Sequence, residues 1–143
     1  MDAEDLMEKL FAFGHKIIHL PTLKISTVDI ESVNPDNFEA FVFTSANAVR
    51  NLKLTSTKKS VHCFCVGSIT EKIARQSGFT NTSSAGGTVN ALKNLIMISD
   101  KVNKNSNLAY FCGDNISYDL DLELKNEGLK IKKIINYSSE IIS

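Results

Sequence analysis

The 143-residue chain has 16 basic and 16 acidic residues, distributed without long blocks, so its formal net charge is zero and no positive surface for nucleic acid or an anionic membrane is expected. Its 43% hydrophobic content predicts one compact core of ordinary domain size, and no apolar stretch approaches the about 20 residues that cross a bilayer. Asp-Ala-Glu-Asp follows Met1 where a secretory leader would be basic, which favours a cytoplasmic protein.

The first predicted elements are a helix at 2–13 and a strand, HKIIHL, that ends before Pro21. No strand precedes this helix, so residues 1–26 are interpreted as part of a second, incomplete α/β domain. Its apolar side chains Leu6, Leu10 and Phe13 share one face and would lack partner strands. We therefore expect a dimer contact through this helix.

Five short apolar runs alternate with amphipathic helices over residues 27–134. Gly78 and Gly128 follow two of these helices, in the position where glycine supplies a left-handed cap. This alternation predicts a doubly wound α/β domain with a five-stranded parallel sheet in the flavodoxin-like order 2-1-3-4-5. In that order the first and third strands are neighbours. The runs are AFVF, VHCFCV, FTNTS, LAYFC and LKIKKII.

The cysteines Cys63, Cys65 and Cys112 are odd in number, and C-F-C places the first two on one face of a strand. We interpret them as reduced thiols in or near the core, with His62 on the opposite face from Cys63. No metal site is expected. The chain also contains no G-x-G-x-x-G or G-x-x-x-x-G-K-[ST] motif, so no nucleotide cofactor is expected.

Small or polar residues follow each of the first four predicted strands. In an open parallel sheet, ligands bind beyond the carboxyl ends of the strands. Helix N-termini there carry unpaired N–H groups and about half a positive charge, so they bind carboxylates or phosphates without lysine or arginine. The candidate ligand-binding residues are Thr44, Ser45, Asn47, Ser68, Thr70, Gly86, Gly87, Gly113 and Asn115.

Structural interpretations of the same residues remain open. Ser68-Ile69-Thr70-Glu71 is an S-x-x-E capping box, which explains Ser68 as a helix start. Ser45 and Thr88 are equally good N-caps, and Gly86-Gly87 fits a loop that needs positive φ.

Tyr137 lies at the end of IKKIINY, where the last strand runs toward the polar ends of the sheet. A phenol there can donate a hydrogen bond or a proton, which makes Tyr137 the candidate catalytic residue. The alternative is an aromatic side chain at the rim with a solvated hydroxyl.

Five segments carry a family resemblance. They are L-P-T-L-K-I, F-E-A-F-V-F-T-S-A-N-A-V, V-G-S-I-T-E-K-I-A-R-Q-S-G-F, L-A-Y-F-C-G-D-N and L-K-N-E-G-L-K-I-K-K-I-I-N-Y. In this order they resemble uroporphyrinogen-III synthase over nearly the whole chain. The combination of F-T-S-A-N-A-V, V-G-x-x-T and the terminal tyrosine is the most specific part.

The resemblance implies two α/β domains joined by a two-stranded linker, one domain being inserted in the other. Residues 27–134 would be the complete inserted domain and 135–143 the second linker strand. Residues 1–26 would hold a fragment of the split domain and the first linker strand. The usual opening strand with Thr-Arg-Pro is missing, as is the C-terminal half of the split domain, so a truncated chain that is inactive alone is expected.

Members of the family close linear hydroxymethylbilane to uroporphyrinogen III, inverting the terminal pyrrole ring without a metal or an organic cofactor. By motif position, Thr44, Ser45 and Asn47 resemble the first cleft loop, Thr70 the threonine of V-G-x-x-T, and Tyr137 the linker tyrosine that assists loss of the substrate hydroxyl. The implied ligand is a linear tetrapyrrole with eight carboxylates. The rival prediction is a sugar-phosphate or small-anion binding module, because the same turns would hold a phosphate.

Overall fold

The computed structural model describes residues 22–115 and 118–142. The helix predicted at 2–13, the strand HKIIHL and the dimer contact through that helix lie outside the described residues.

Strands and helices alternate along the described chain. A 3-10 turn at Pro35–Asn37 precedes the first alternating unit. The strands are β1 (Thr22–Thr27), β2 (Ala40–Phe43), β3 (His62–Cys65), β4 (Thr82–Ser84), β5 (Asn107–Gly113) and β6 (Lys130–Ile142). The α-helices are α1 (Ala46–Arg50), α2 (Ser68–Gln76), α3 (Val89–Ile98) and α4 (Leu120–Asn126).

These strands form one mixed sheet in the order β1-β6-β5-β2-β3-β4. Strands β2 to β6 pair in parallel, as predicted. At one edge, β1 pairs antiparallel with the C-terminal half of β6, so that Thr27 lies opposite Tyr137. Strand β6 runs unbroken across the boundary predicted at 134/135, and the division of the chain into domains stays a prediction.

The predicted strand order is wrong. Numbered as the five predicted strands, the order is 3-2-1-4-5. The point at which the strand order reverses therefore lies between β2 and β5, which are parallel neighbours, rather than between β2 and β4. Strand β2 is wholly buried, and β5 is buried from Leu108 onward. Strand β4 is three residues long and carries only Thr and Ser. A central position would bury those hydroxyls, so β4 lies at the edge and β5 takes the place beside β2.

The two faces of the sheet are both covered by helices. On one face Phe41, Phe43, Phe79 and Phe111 pack with α1 and α2, and we call this group the phenylalanine cluster. Its rings are in direct contact, with 5.0 Å between the centroids of Phe41 and Phe111. The other face packs against α3 and α4. Coverage on both faces confirms a doubly wound core.

Two glycine caps and the buried thiols agree with the sequence-based expectations. Gly78 and Gly128 follow α2 and α4 with φ of 104° and 89°. The three cysteines are free and buried. Burial raises the pKa of Cys65 to about 12 and that of Cys112 to about 11, and it raises the pKa of Cys63 further.

The capping-box interpretation of Ser68 is wrong. Helix α2 begins at Ser68 itself, and the N-cap is Gly67, which has no side chain to offer. The Glu71 carboxylate does not reach back to the cap; it accepts a hydrogen bond from Thr82 Oγ1 at 2.9 Å in the neighbouring strand. Ser68 is exposed at the start of the helix, and its side chain does not cap it.

Candidate functional site

The loops after β2, β3 and β4 lie side by side at the C-terminal ends of the parallel strands. We call this end of the sheet the carboxyl edge. Val66 N donates to Phe43 O at 3.0 Å, and Gly87 N donates to Val66 O at 2.8 Å. The backbones approach closely: a Cβ added at Gly67 would lie 3.4 Å from the Cα of Gly87. As expected, Thr44 and Gly86 are at the same end of the sheet.

Ser45 and Tyr137, 92 residues apart in sequence, meet at this edge. Their hydroxyl oxygens lie 2.9 Å apart, which is hydrogen-bonding distance. The same Ser45 Oγ accepts a hydrogen bond from Ala48 N at 3.2 Å and so caps α1. Ser45 is thus both the predicted N-cap and a neighbour of the candidate catalytic phenol.

A β-bulge places Tyr137 on this face. Cys112 pairs with Ile135, but the next residue, Gly113, pairs with Tyr137, so Asn136 is an extra residue in β6. In a regular strand, Ile134 and Tyr137 would point to opposite faces because they are three residues apart. Both instead pack against the phenylalanine cluster.

Gly113 and the loop after it contact β6. A Cβ added at Gly113 would lie 2.6 Å from ring carbons of Tyr137, so the ring occupies the space of the missing side chain. Asn115 Nδ2 donates to Ser139 O at 2.8 Å, and Ser139 N donates to Asp114 Oδ1 at 3.0 Å. These contacts give Gly113 and Asn115 packing roles, and their binding of substrate stays a prediction.

Tyr110 is a neighbour of the site that the sequence analysis treated only as part of the predicted strand LAYFC. Its hydroxyl lies 3.3 Å from Thr44 Oγ1, while its ring is buried in β5. Burial raises the pKa of Tyr110 to about 12, so its hydroxyl stays protonated at neutral pH. The available signal was a tyrosine within a buried strand, since such a phenol needs a hydrogen-bond partner.

The remaining candidates differ in exposure. Gly86 and Gly87 are exposed, and Gly87 has a φ of 97°. Asn47 is half-buried in the first turn of α1, where its Oδ1 accepts a hydrogen bond from Arg50 at 3.4 Å. Thr70 is in the first turn of α2 and is 5% exposed, so its side chain faces the interior of the protein. Binding of substrate by these residues stays a prediction.

Helix N-termini supply the positive potential of the edge. Helix α3 is capped by Thr88, whose Oγ1 accepts from Ala91 N at 3.1 Å. Helix α2 has no side-chain cap, and after Glu71 N donates to Gly67 O its first-turn N–H groups still need acceptors. An anion at the carboxyl edge would meet these N–H groups.

A charged groove lies at the opposite, amino end of the strands. It measures about 670 Å³ and is lined by residues that include His62 and Lys101. Lys58 in this groove is bound to Asp36 at 2.8 Å, and Arg75 donates to Thr82 and pairs with Glu71. The groove side chains Asp36, Lys58, Arg75 and Thr82 thus already have partners within the fold.

Neither a metal-binding cluster nor a membrane-spanning helix is found in residues 22–115 and 118–142. No group of three or more His, Cys, Asp or Glu side chains there is arranged to hold a metal ion. No helix in the same part of the chain has the length and apolar character needed to span a membrane.

Comparison with known proteins gave a family and several solved structures. The family model for Uroporphyrinogen-III synthase HemD matches residues 4–142. The fold is similar to uroporphyrinogen-III synthetase from Helicobacter pylori 26695, with a TM-score of 0.61 and 21% identity over 85% of this chain and 55% of that chain. It is also similar to a mutant uroporphyrinogen III synthase from the extremely thermophilic bacterium Thermus thermophilus, with a TM-score of 0.60 and 15% identity over 97% of this chain and 58% of that chain.

A comparison with curated proteins gave no match. This chain spans a little over half the length of the two solved chains just described. Because the family model covers nearly every residue, the chain belongs to the uroporphyrinogen-III synthase family.

Proposed function

We propose that this chain forms one wall of the cleft in which a uroporphyrinogen-III synthase cyclises hydroxymethylbilane with inversion of the terminal pyrrole ring. The observation that carries the proposal is the pair of hydroxyls of Tyr137 and Ser45, 2.9 Å apart at the carboxyl edge. Family membership supplies the reaction class, and the pair supplies a phenol at the edge where ligands of such sheets bind.

Substrate binding would rest on backbone N–H groups more than on cationic side chains. The tetrapyrrole carries eight carboxylates, and the N-termini of α2 and α3 reach the carboxyl edge. Exposed Gly86 and Gly87 let a carboxylate approach the backbone there. Ser68, exposed and without a capping task, adds a hydroxyl donor beside the uncapped turn of α2.

In the proposed chemical step, Tyr137 assists departure of the substrate hydroxyl. The C–O bond breaks as the pyrrole nitrogen supplies electrons, and the hydroxyl leaves as water after it gains a proton, giving an azafulvene. If Ser45 donates to the phenol oxygen, the phenol proton is free to point at the leaving group. The cleft then holds the folded chain so that it closes through a spiro intermediate, which is mainly positioning.

The second candidate is a sugar-phosphate or small-anion binding module. The uncapped N-terminus of α2 favours it, because a phosphate would satisfy the same N–H groups as a carboxylate. It differs in needing neither Tyr137 nor a second wall.

Calorimetric titration of the 143-residue chain separates the two candidates. Uroporphyrinogen III under anaerobic conditions should bind, and ribose 5-phosphate at the same concentrations should not. Ser68→Ala should weaken binding by about fivefold, the effect of one lost hydrogen bond. Lys58→Ala, at the amino end, is the matched control and should leave binding unchanged. Tighter binding of the sugar phosphate would replace the proposal with the second candidate.

A further inference from the structure

The bulge in β6 brings two consecutive side chains, Asn136 and Tyr137, onto the face that carries α1. Tyr137 reaches the hydroxyl of Ser45, as described above. Asn136 is 1% exposed, and its Nδ2 donates to Ala48 O at 2.8 Å. Consecutive residues of one strand therefore hold the first turn of the same short helix.

These contacts close a ring of hydrogen bonds. Ala48 N donates to Ser45 Oγ, which contacts the Tyr137 hydroxyl, while Ala48 O accepts from Asn136. The carbonyl of Ala48 is available because Leu52 N, its usual helical partner, donates to Val49 O at 3.2 Å instead. This closed set of hydrogen bonds thus fixes the distance between α1 and β6 next to the Tyr137 hydroxyl.

Asn136 is costly for the fold. Its Oδ1 is buried and has no hydrogen-bond partner in the described part of the chain. An unsatisfied buried acceptor costs about 1–3 kcal/mol, so packing alone favours an apolar side chain at this position. The bulge also leaves one residue of β6 without a partner in β5. A regular strand pairs with its neighbours without either feature.

Gly113 in β5 leaves the space that the aromatic ring of Tyr137 occupies. Any side chain at that position would meet the ring carbons at 2.6 Å. Gly113 is paired with Tyr137 in the register immediately after the bulge. The ring therefore lies in a space that exists only because Gly113 lacks a Cβ and Asn136 is inserted.

We propose that Asn136 and Gly113 are positioning residues that hold the Tyr137 hydroxyl against Ser45. The meaning of this position for catalysis rests on the proposed function. The placement of the phenol is a property of the chain itself and can be measured without any ligand.

A double-mutant cycle between Ser45→Ala and Tyr137→Phe measures the contact through the folding equilibrium constant of the 143-residue chain. We expect a coupling of about fivefold, typical of one net hydrogen bond. Repeated in an Asn136→Ala background, the coupling should fall to within about twofold of unity, since the phenol is no longer held at Ser45. Gly113→Ala should have the same effect because it moves the ring.

Ser106→Ala supplies the matched control. Ser106 is another buried polar residue, 5% exposed, and its Oγ accepts from Asn103 N at 3.1 Å. It lies just before β5, whereas Gly113 and its partner Tyr137 lie at the other end of that strand. In that background the coupling of about fivefold should persist despite the loss of stability. If Asn136→Ala does not fold, Asn136→Ser replaces it, because serine fills more of the space but is too short to bridge to Ala48.

Coupling that stays at about fivefold in both the Asn136 and the Gly113 backgrounds would overturn the proposal. The cycle contains no tetrapyrrole, so its outcome does not depend on the titration that tests the proposed function. If the chain binds no uroporphyrinogen but the coupling is lost in the Asn136 and Gly113 backgrounds, the positioning proposal is supported and the proposed function is not.

Discussion

Ser45 makes two contacts with one hydroxyl, and they have different consequences. Its oxygen accepts from Ala48 N, which stabilises the start of α1, and it also lies 2.9 Å from the phenol of Tyr137. Tyr137 has the only side chain in the proposed mechanism that moves a proton. Substitution of the two residues should therefore separate stability from rate.

In an assembled synthase that contains this half, Tyr137→Phe should slow ring closure by about 10²- to 10⁴-fold, the usual worth of general acid help. Ser45→Ala should cost less in rate but about 1 kcal/mol in stability, because an N-cap is lost. A deaminase-coupled assay that separates the type III isomer from spontaneous type I measures the rates. Equal rates for Tyr137→Phe and wild type would remove Tyr137 from the chemistry.

The buried thiols predict an alkaline loss of stability. The pKa of Cys65 is about 12 and that of Cys112 about 11, both above the ordinary value of a thiol near 8.5, because burial disfavours the thiolate. The folded state binds these protons more tightly than the unfolded state. The contribution is therefore complete below about pH 8.5 and is lost as the pH rises toward the folded-state values.

Urea unfolding at about pH 8 and about pH 10 measures this effect. The free energy of unfolding should fall between the two, and the fall should be smaller in Cys65→Ala. Ellman's reagent at the lower pH should modify the three cysteines only after unfolding. Rapid modification of the folded chain would show that the thiols are accessible and that the assignment to the core is wrong.

At the scale of elements, the loop from β4 to α3 contains two adjacent glycines with different requirements. Gly87 has a φ of 97°, which strains any L side chain, although there is open space around it. Gly86 has no such φ, and a Cβ there would make an ordinary 3.8 Å contact with Ala91. Substitution of each glycine in turn therefore separates the effect of backbone strain on stability from the effect of an added side chain on ligand binding.

Gly87→Ala should destabilise the fold by about 1–2 kcal/mol through its φ, whereas Gly86→Ala should change stability by less than about 0.5 kcal/mol. Thermal and urea unfolding measure both. If Gly86 approaches a carboxylate as proposed, Gly86→Ala should still weaken uroporphyrinogen binding. Equal loss of stability in both variants would contradict the backbone explanation.

Local elements and their chemistry followed from the sequence better than the arrangement of the strands did. The alternation of AFVF, VHCFCV and LAYFC with helices is local, and so are the caps at Gly78 and Gly128. Strand order depends on which strand is suited to an edge position. The cost of burying the hydroxyls of β4 in the centre of the sheet places this strand at the edge, against the predicted flavodoxin-like order.

The meeting of Tyr137 and Ser45 could be predicted only in part. Family resemblance and strand direction placed both at one edge of the sheet. The bulge at Asn136 determines the face on which the phenol lies, and a single inserted residue leaves no periodic signal in a strand as mixed as IKKIINY. The contact of Tyr110 with Thr44 was hidden for a similar reason, because Tyr110 also fits the core.

At the scale of the whole molecule, the carboxyl edge supplies one side of the proposed cleft, and the chain spans only a little over half the length of the two solved relatives. Holding a flexible bilane in a single folded conformation requires contacts on both sides. The 143-residue chain mixed with fresh hydroxymethylbilane should therefore give no more type III isomer than buffer does. A type III fraction well above that control would show that this half suffices and that the one-wall proposal is wrong.

Binding of the tetrapyrrole at the carboxyl edge is tested most directly by a map of amide chemical shifts in the 143-residue chain during titration with uroporphyrinogen III. The largest changes should fall on the amides of the carboxyl edge, which are those of Thr44, Ser45, Ser68, Gly86 and Gly87. Amides near His62 and Lys101 at the amino end should not move. Changes centred on that opposite groove, or a map unaltered at saturating tetrapyrrole, would contradict the assignment of the cleft.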